Sequence, residues 1–159
     1  MRPPAVDYLY ELFRSPLFSS AFFSWFVAQI LKALIEAVKQ RSRNSRDLMV
    51  TLFWKTGGMP SSHSSTVTAM ATAVGFEYGV GDPLFSISLV FSLLVIRDAL
   101  GVRRAAGVQA QSLNRLGIEL NRRYGIEFSP VREVNGHTVA EVSVGMLLGF
   151  FIAVAFSIL

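Results

Sequence analysis

Apolar residues fall along this chain in four stretches, separated by polar connections that carry most of the basic residues. The first stretch, "SPLFSSAFFSWFVAQILKALIEAV", is uncharged from Ser15 to Leu31 and then acquires Lys32 and Glu36. The second, Ser61 to Tyr78, is rich in Ser, Thr, Ala and Gly. The third is uncharged from Pro83 to Ile96, and the fourth from Val142 to the C-terminus. A membrane-crossing helix needs about 20 mainly apolar residues. The first and fourth stretches meet that length. The second and third are shorter, and the small residues of the second favour burial against other helices. Continuous rather than alternating apolar runs exclude a β-barrel. Between the third and fourth stretches, Gly101 to Asn135, the positions Val108, Leu113, Leu116 and Leu120 recur near helical spacing. They predict a short amphipathic helix, either lying on the membrane, covering a site, or simply connecting two elements. The pattern predicts an all-α, integral-membrane helical bundle. It would have about four membrane-embedded helices plus the short amphipathic one, as a single domain over residues 1–159.

Composition strengthens this picture. The chain is 52% hydrophobic and 16% charged, against about 25% charged residues in a typical soluble domain. It has no cysteine, so disulfides and thiolate metal sites are excluded, and with two histidines a protein-built metal site is not expected. No cofactor is implied. The net charge of +4 sits in the connections rather than on a separate basic face. It therefore predicts topology rather than a nucleic-acid partner. If all four stretches span, both basic connections lie in the cytoplasm and both termini outside. The first dozen residues lack a basic n-region and no cleavage-like site follows the first apolar run, so no removable signal peptide is expected.

Ionisable residues are costly inside a bilayer, and here they gather at one end of the stretches. Lys32 and Glu36 are four apart, at pairing distance on a helix; Arg97 and Asp98 end the third stretch; His137 and Glu141 begin the fourth. An interfacial ion pair and a snorkelling arginine would explain single members of this set. Their convergence with both histidines on one membrane face points to a site.

Three blocks carry the candidate chemistry. His137, Glu141, Gly145 and Gly149 recur every fourth residue and form one helical stripe, in which the carboxylate can hold one imidazole nitrogen and leave the other available as base or nucleophile. In "GGMPSSHSS", residues 57–65, Pro60 suits the first position of a helix. The N–H groups of Ser61, Ser62 and His63 would then project from the helix end as an anion site, beside serine hydroxyls. Simple capping accounts for one serine but not for the run. In "RDALGVRRAAGVQ", Arg97, Gly101 and Arg104 share a face with Arg103 beside it, a clamp for phosphate or an anchor for anionic headgroups.

"GGMPSSHSS", "RDALGVRR" and "GHTVAEVSVG", in that order and with "AQILK" in the first stretch, resemble the signature blocks of the divergent PAP2 family. That family is related to acid phosphatases and vanadium-dependent haloperoxidases. "PSSH" is similar to the P-S-G-H motif of the wider superfamily, which implies that His63 is a general acid. His137 followed by Glu141 is similar to H-x3-D, which implies a phosphate-attacking His137 oriented by Glu141. The chain departs from the pattern elsewhere. Lys32 is not followed by Arg-Pro at the superfamily spacing, and Val131 stands where an arginine precedes the nucleophile, with Arg132 one residue late. Arg97, Arg103 and Arg104 are left to supply the phosphate contacts, with Lys32, Ser61 and Ser62. The superfamily core of six helices also exceeds the five expected here, which a homodimer would complete.

The resemblance implies a lipid-phosphate phosphatase working through a phosphohistidine, embedded among membrane lipids in a bacterial inner membrane with its site facing the cytoplasm. Phosphatidylglycerophosphate, phosphatidate or a prenyl phosphate would each suit that leaflet. A non-enzymatic lipid-binding or scaffold protein with a degenerate site is the main alternative, and a vanadium haloperoxidase a lesser one.

Overall fold

The computed structural model describes residues 4–39, 58–133 and 136–158. The "KQRSRNSRD" connection and Gly57 lie largely outside these residues. Six helices are described: α1 (Pro4–Arg14), α2 (Pro16–Lys39), α3 (Ser62–Tyr78), α4 (Pro83–Leu100), α5 (Val102–Tyr124) and α6 (Val139–Ile158). Three described runs are long and apolar enough to cross a membrane: Pro16–Val38, Pro83–Tyr124 and Val139–Ile158. The described residues thus form an all-helical membrane bundle.

Each boundary has a local cause. The Asp82 carboxylate accepts from the N–H of Leu84 at 2.7 Å and caps α4, with Pro83 following at a position where no N–H is needed. Gly79, at φ 87, ends α3, and Gly125, at φ 68, ends α5, both in a region that side-chain-bearing residues rarely adopt. Helix α1 is an addition to the expected set. It is separated from α2 by Ser15 alone.

The 17-residue α3 is the centre of the bundle. It packs against α2, α4 and α6, whereas α2 and α4 do not meet. Small side chains make this geometry accessible. Ala69, Ala73 and Ala153 form a buried apolar cluster, and a Cβ on Gly145 or Gly149 of α6 would overlap the carbonyl of Ser61, the cap of α3, or of Ser65 within it. In a bilayer, where lipid is as apolar as leucine, close backbone approach and buried hydroxyls hold helices together. Ser24 of α2 shares a hydrogen bond of 2.5 Å with Ser65 of α3, and the Ser92 hydroxyl of α4 donates to the Val67 carbonyl at 2.9 Å. The outer face of α4, including Ile87, Val90, Phe91 and Leu94, is exposed and apolar, as a lipid-facing surface requires.

The amphipathic helix differs from expectation in length and placement. It runs for 23 residues, starts directly after Gly101, and packs on no described helix other than α4. Of its predicted seam, Val108, Leu113 and Leu116 are exposed and Leu120 is half-buried. The chain returns along its other side. Asn114 is buried there, and its amide donates to the Val131 carbonyl at 2.9 Å and accepts from the Val131 N–H at 2.8 Å. Phe128 lies against Gly117, where any Cβ would overlap its ring. This return delivers Gly136 onto the backbone of Arg104, 2.5 Å from where a Cβ on Gly136 would stand. Glycine is required at that contact.

Candidate active site

The end of α2, the start of α3, the end of α4 and the start of α6 meet at one end of the bundle. Two backbone hydrogen bonds fix this: Ser61 N–H donates to the Glu141 carbonyl at 3.0 Å, and His137 N–H donates to the Ala99 carbonyl at 3.2 Å. On the α2 side, the Lys32 side chain passes 3.7 Å from the Cβ position of Gly58, whose φ of 91 also favours glycine. Lys32 is 4% exposed. A lysine so buried is oriented for a specific contact rather than extended into water.

At the start of α6, Glu141 does two things at once. Its Oε2 lies 3.1 Å from His137 Nδ1 and also accepts from the Thr138 N–H at 3.1 Å. The Thr138 hydroxyl accepts from the Glu141 N–H at 3.3 Å, completing a reciprocal capping box. The carboxylate holds Nδ1, so Nε2 is the imidazole nitrogen left for chemistry. His137 itself is buried, at 4% exposure. Sequence reasoning found the His–Glu pair but missed Thr138, although T-x-x-E before an apolar run is the sequence signal of this cap.

His63 sits in the first turn of α3, exposed toward the same end. The charges of Arg103, Lys32 and Asp98 and the ring of His137 all act on its imidazole. The structure therefore gathers His63, His137, Lys32 and Arg103 from four different helices and helix ends. Asp98, outside the expected set, accepts from Arg103 Nε at 3.0 Å. That contact engages Nε and not the two terminal guanidinium nitrogens of Arg103.

Two expectations are corrected. Helix α3 begins at Ser62, two residues later than Pro60 predicts, with Ser61 as its cap. The Ser61 N–H belongs to the Glu141 carbonyl, and its Oγ is 3.0 Å from that of Ser64, so Ser61 is a structural cap rather than an anion donor. The N–H groups of Ser62 and His63 remain at the helix end. Arg97 also departs: it is exposed on α4, about 160° around the helix from the buried Ala99. Arg104 stays close, lining with His137, Thr138, Glu141 and Gln111 a cavity of roughly 340 Å³ between α5 and α6.

This arrangement can hold a phosphoryl group between cations and a helix end, with one oriented imidazole and one exposed imidazole beside it. Residues 13–152 match the model of the divergent PAP2 family. The chain is 38% identical over 136 residues to the "Uncharacterized membrane protein YuiD" of Bacillus subtilis (strain 168), covering 79% of this chain and 83% of that one. No solved structure matches. With a family match across nearly the whole chain and a helical membrane bundle carrying its polar blocks at one end, the protein belongs to the divergent PAP2 family.

Proposed function

We propose that the protein is a phosphatase for a membrane lipid phosphate, acting from the cytoplasmic leaflet of a bacterial inner membrane. The observation that carries this reading is buried His137, held by the half-buried Glu141, in the electrostatic neighbourhood of His63, Lys32 and Arg103 at the end of membrane-crossing helices.

Lys32, Arg103 and Arg104, with the N–H groups of Ser62 and His63, hold the phosphoryl oxygens and stabilise charge as it develops. His137 Nε2 attacks phosphorus while Glu141 stabilises the imidazolium that forms. The P–O bond to the lipid breaks, and His63 donates its proton to the departing oxygen. The neutral His63 then takes a proton from water, whose oxygen attacks the phosphohistidine. The P–N bond breaks, phosphate leaves, and both histidines return to their starting forms. Clustering of the site at a helix end, beside apolar spanning segments, supports a substrate whose phosphate lies at the headgroup level and whose tail stays in the bilayer. Phosphatidate, phosphatidylglycerophosphate and prenyl phosphates share that form.

Phosphate release by purified protein from a panel of these lipids tests the reading. Wild type should release phosphate, and His137→Ala should reduce release by at least about 10³-fold, as for loss of a nucleophile. Full activity in His137→Ala would sink the mechanism.

A further inference from the structure

Gln29 on α2 has no place in the mechanism above. It is 7% exposed, and its Oε1 is buried without a hydrogen-bond partner among the described residues. A buried amide oxygen left unpaired is destabilising, and a partner supplied by a ligand would satisfy it. Its position follows from the helix register. Helices α2 and α3 run antiparallel, with Ser24 bonded to Ser65 and Lys32 against Gly58. Between these two contacts, Gln29 comes level with Pro60 and Ser61, just below the N-terminal end of α3. It lies three residues before Lys32, on the same side of α2.

Every other group assigned to the phosphoryl oxygens is a donor: the Lys32 ammonium, the arginine guanidinium groups and the α3 N–H groups. An amide oxygen among donors has no use for a bare phosphate oxygen. It matches the single donor that a phosphate monoester owns, its P–O–H. We infer that Gln29 Oε1 accepts a hydrogen bond from the protonated oxygen of the bound phosphate, and so selects phosphate monoesters over diesters and over sulfate. The inference rests on the phosphate site proposed above. Gln29 is a specificity residue here: it reads the anion and takes no part in bond making.

The test is calorimetric titration of the full chain in lipid nanodiscs with inorganic phosphate and inorganic sulfate near neutral pH. Phosphate carries a P–O–H under these conditions and sulfate carries no proton. Wild type should bind phosphate about tenfold more tightly than sulfate, one good hydrogen bond's worth of discrimination. Gln29→Leu, which removes the acceptor, should bind the two equally. Gln29→Glu keeps an acceptor and should keep the preference, even where overall affinity falls. Thermal unfolding of Gln29→Leu should be unchanged or shifted upward, since an unpaired buried group has been removed. Gln29→Met removes the acceptor with a more flexible side chain and gives the same comparison if the leucine variant folds poorly. Retention of the tenfold preference in a folded Leu or Met variant overturns the role of Gln29 alone. A wild-type chain that binds neither anion overturns the phosphate site, and this inference with it.

Discussion

His137 Nδ1 and Glu141 Oε2 stand 3.1 Å apart across one turn at the start of α6, and the same carboxylate caps the helix through the Thr138 N–H. Two roles on one side chain can be separated by substitution. A capping box accepts Glu or Gln at this position, so Glu141→Gln should leave the melting temperature nearly unchanged. It removes the charge that stabilises the imidazolium, and kcat should fall by about 10²–10⁴-fold, the scale of an acid lost from behind a catalytic histidine. Glu141→Ala should lose the activity and about 1 kcal/mol of stability as well. Equal activity in the Gln variant and wild type would show that the carboxylate only caps the helix.

The approach of α6 to α3 rests on two glycines. A Cβ on Gly149 would overlap the Ser65 carbonyl, and backbone cannot rotate away as a side chain can. Gly149→Ala should therefore destabilise by at least about 1–3 kcal/mol, the usual cost of overpacking. Gly81, in the turn before α4, has nothing within 4 Å of its Cβ position. Gly81→Ala should be neutral or slightly stabilising. Thermal unfolding in detergent compares the two, and a Gly149→Ala protein as stable as Gly81→Ala would contradict the close crossing.

Asp98 and Arg103 are paired at 3.0 Å but are each more than a third exposed. A pair so open to solvent contributes little to stability, about 0–1 kcal/mol. Its effect should appear in catalysis instead. With the guanidinium no longer held, Asp98→Asn should lower kcat/KM by about tenfold while the melting temperature stays within about 2 °C of wild type. Arg103→Ala should lower it further. If Arg103 serves only to pair with Asp98, neither change will alter kcat/KM.

The absence of native cysteine allows orientation to be measured directly. Gly81 lies at the bundle end opposite the site, between α3 and α4, while Ser112 is exposed on α5 beyond the site end. An impermeant thiol reagent applied to intact cells should label Gly81→Cys and spare Ser112→Cys until the membrane is opened. Labelling of Ser112→Cys in intact cells would turn the site outward.

Much of the bundle was legible because its signals are local. Continuous apolar runs mark α2, α4 and α6 wherever they pack, and the 3.6-residue repeat places His137, Glu141, Gly145 and Gly149 on one stripe before any neighbour is known. Pro83 and Gly79 likewise act within a turn of where they stand. Helix α1 was not visible, since Asp7, Glu11 and Arg14 fall among its apolar residues and the uncharged run begins only at Ser15. The length of α5 was also missed, because the apolar repeat that marks it begins only at Val108, although Arg97, Gly101 and Arg104 already shared a helical face.

Residue chemistry and helical phase, then, were determined by the sequence alone: which residues could act, and which of them share a helix face. Only the tertiary structure decided which of these residues meet. Ser61 looked like an anion donor until the Glu141 carbonyl claimed its N–H, and Arg97 looked like a clamp until the packing of Ser88, Ser92 and Ala99 turned it outward. Asp98 and Gln29 acquired significance from partners, or the lack of one, on other helices. Phase along one helix depends on short-range geometry, whereas a site built at the ends of four helices depends on their register. That register is set by contacts such as Ser24 with Ser65 and Gly149 with the Ser65 carbonyl, between residues distant in the chain.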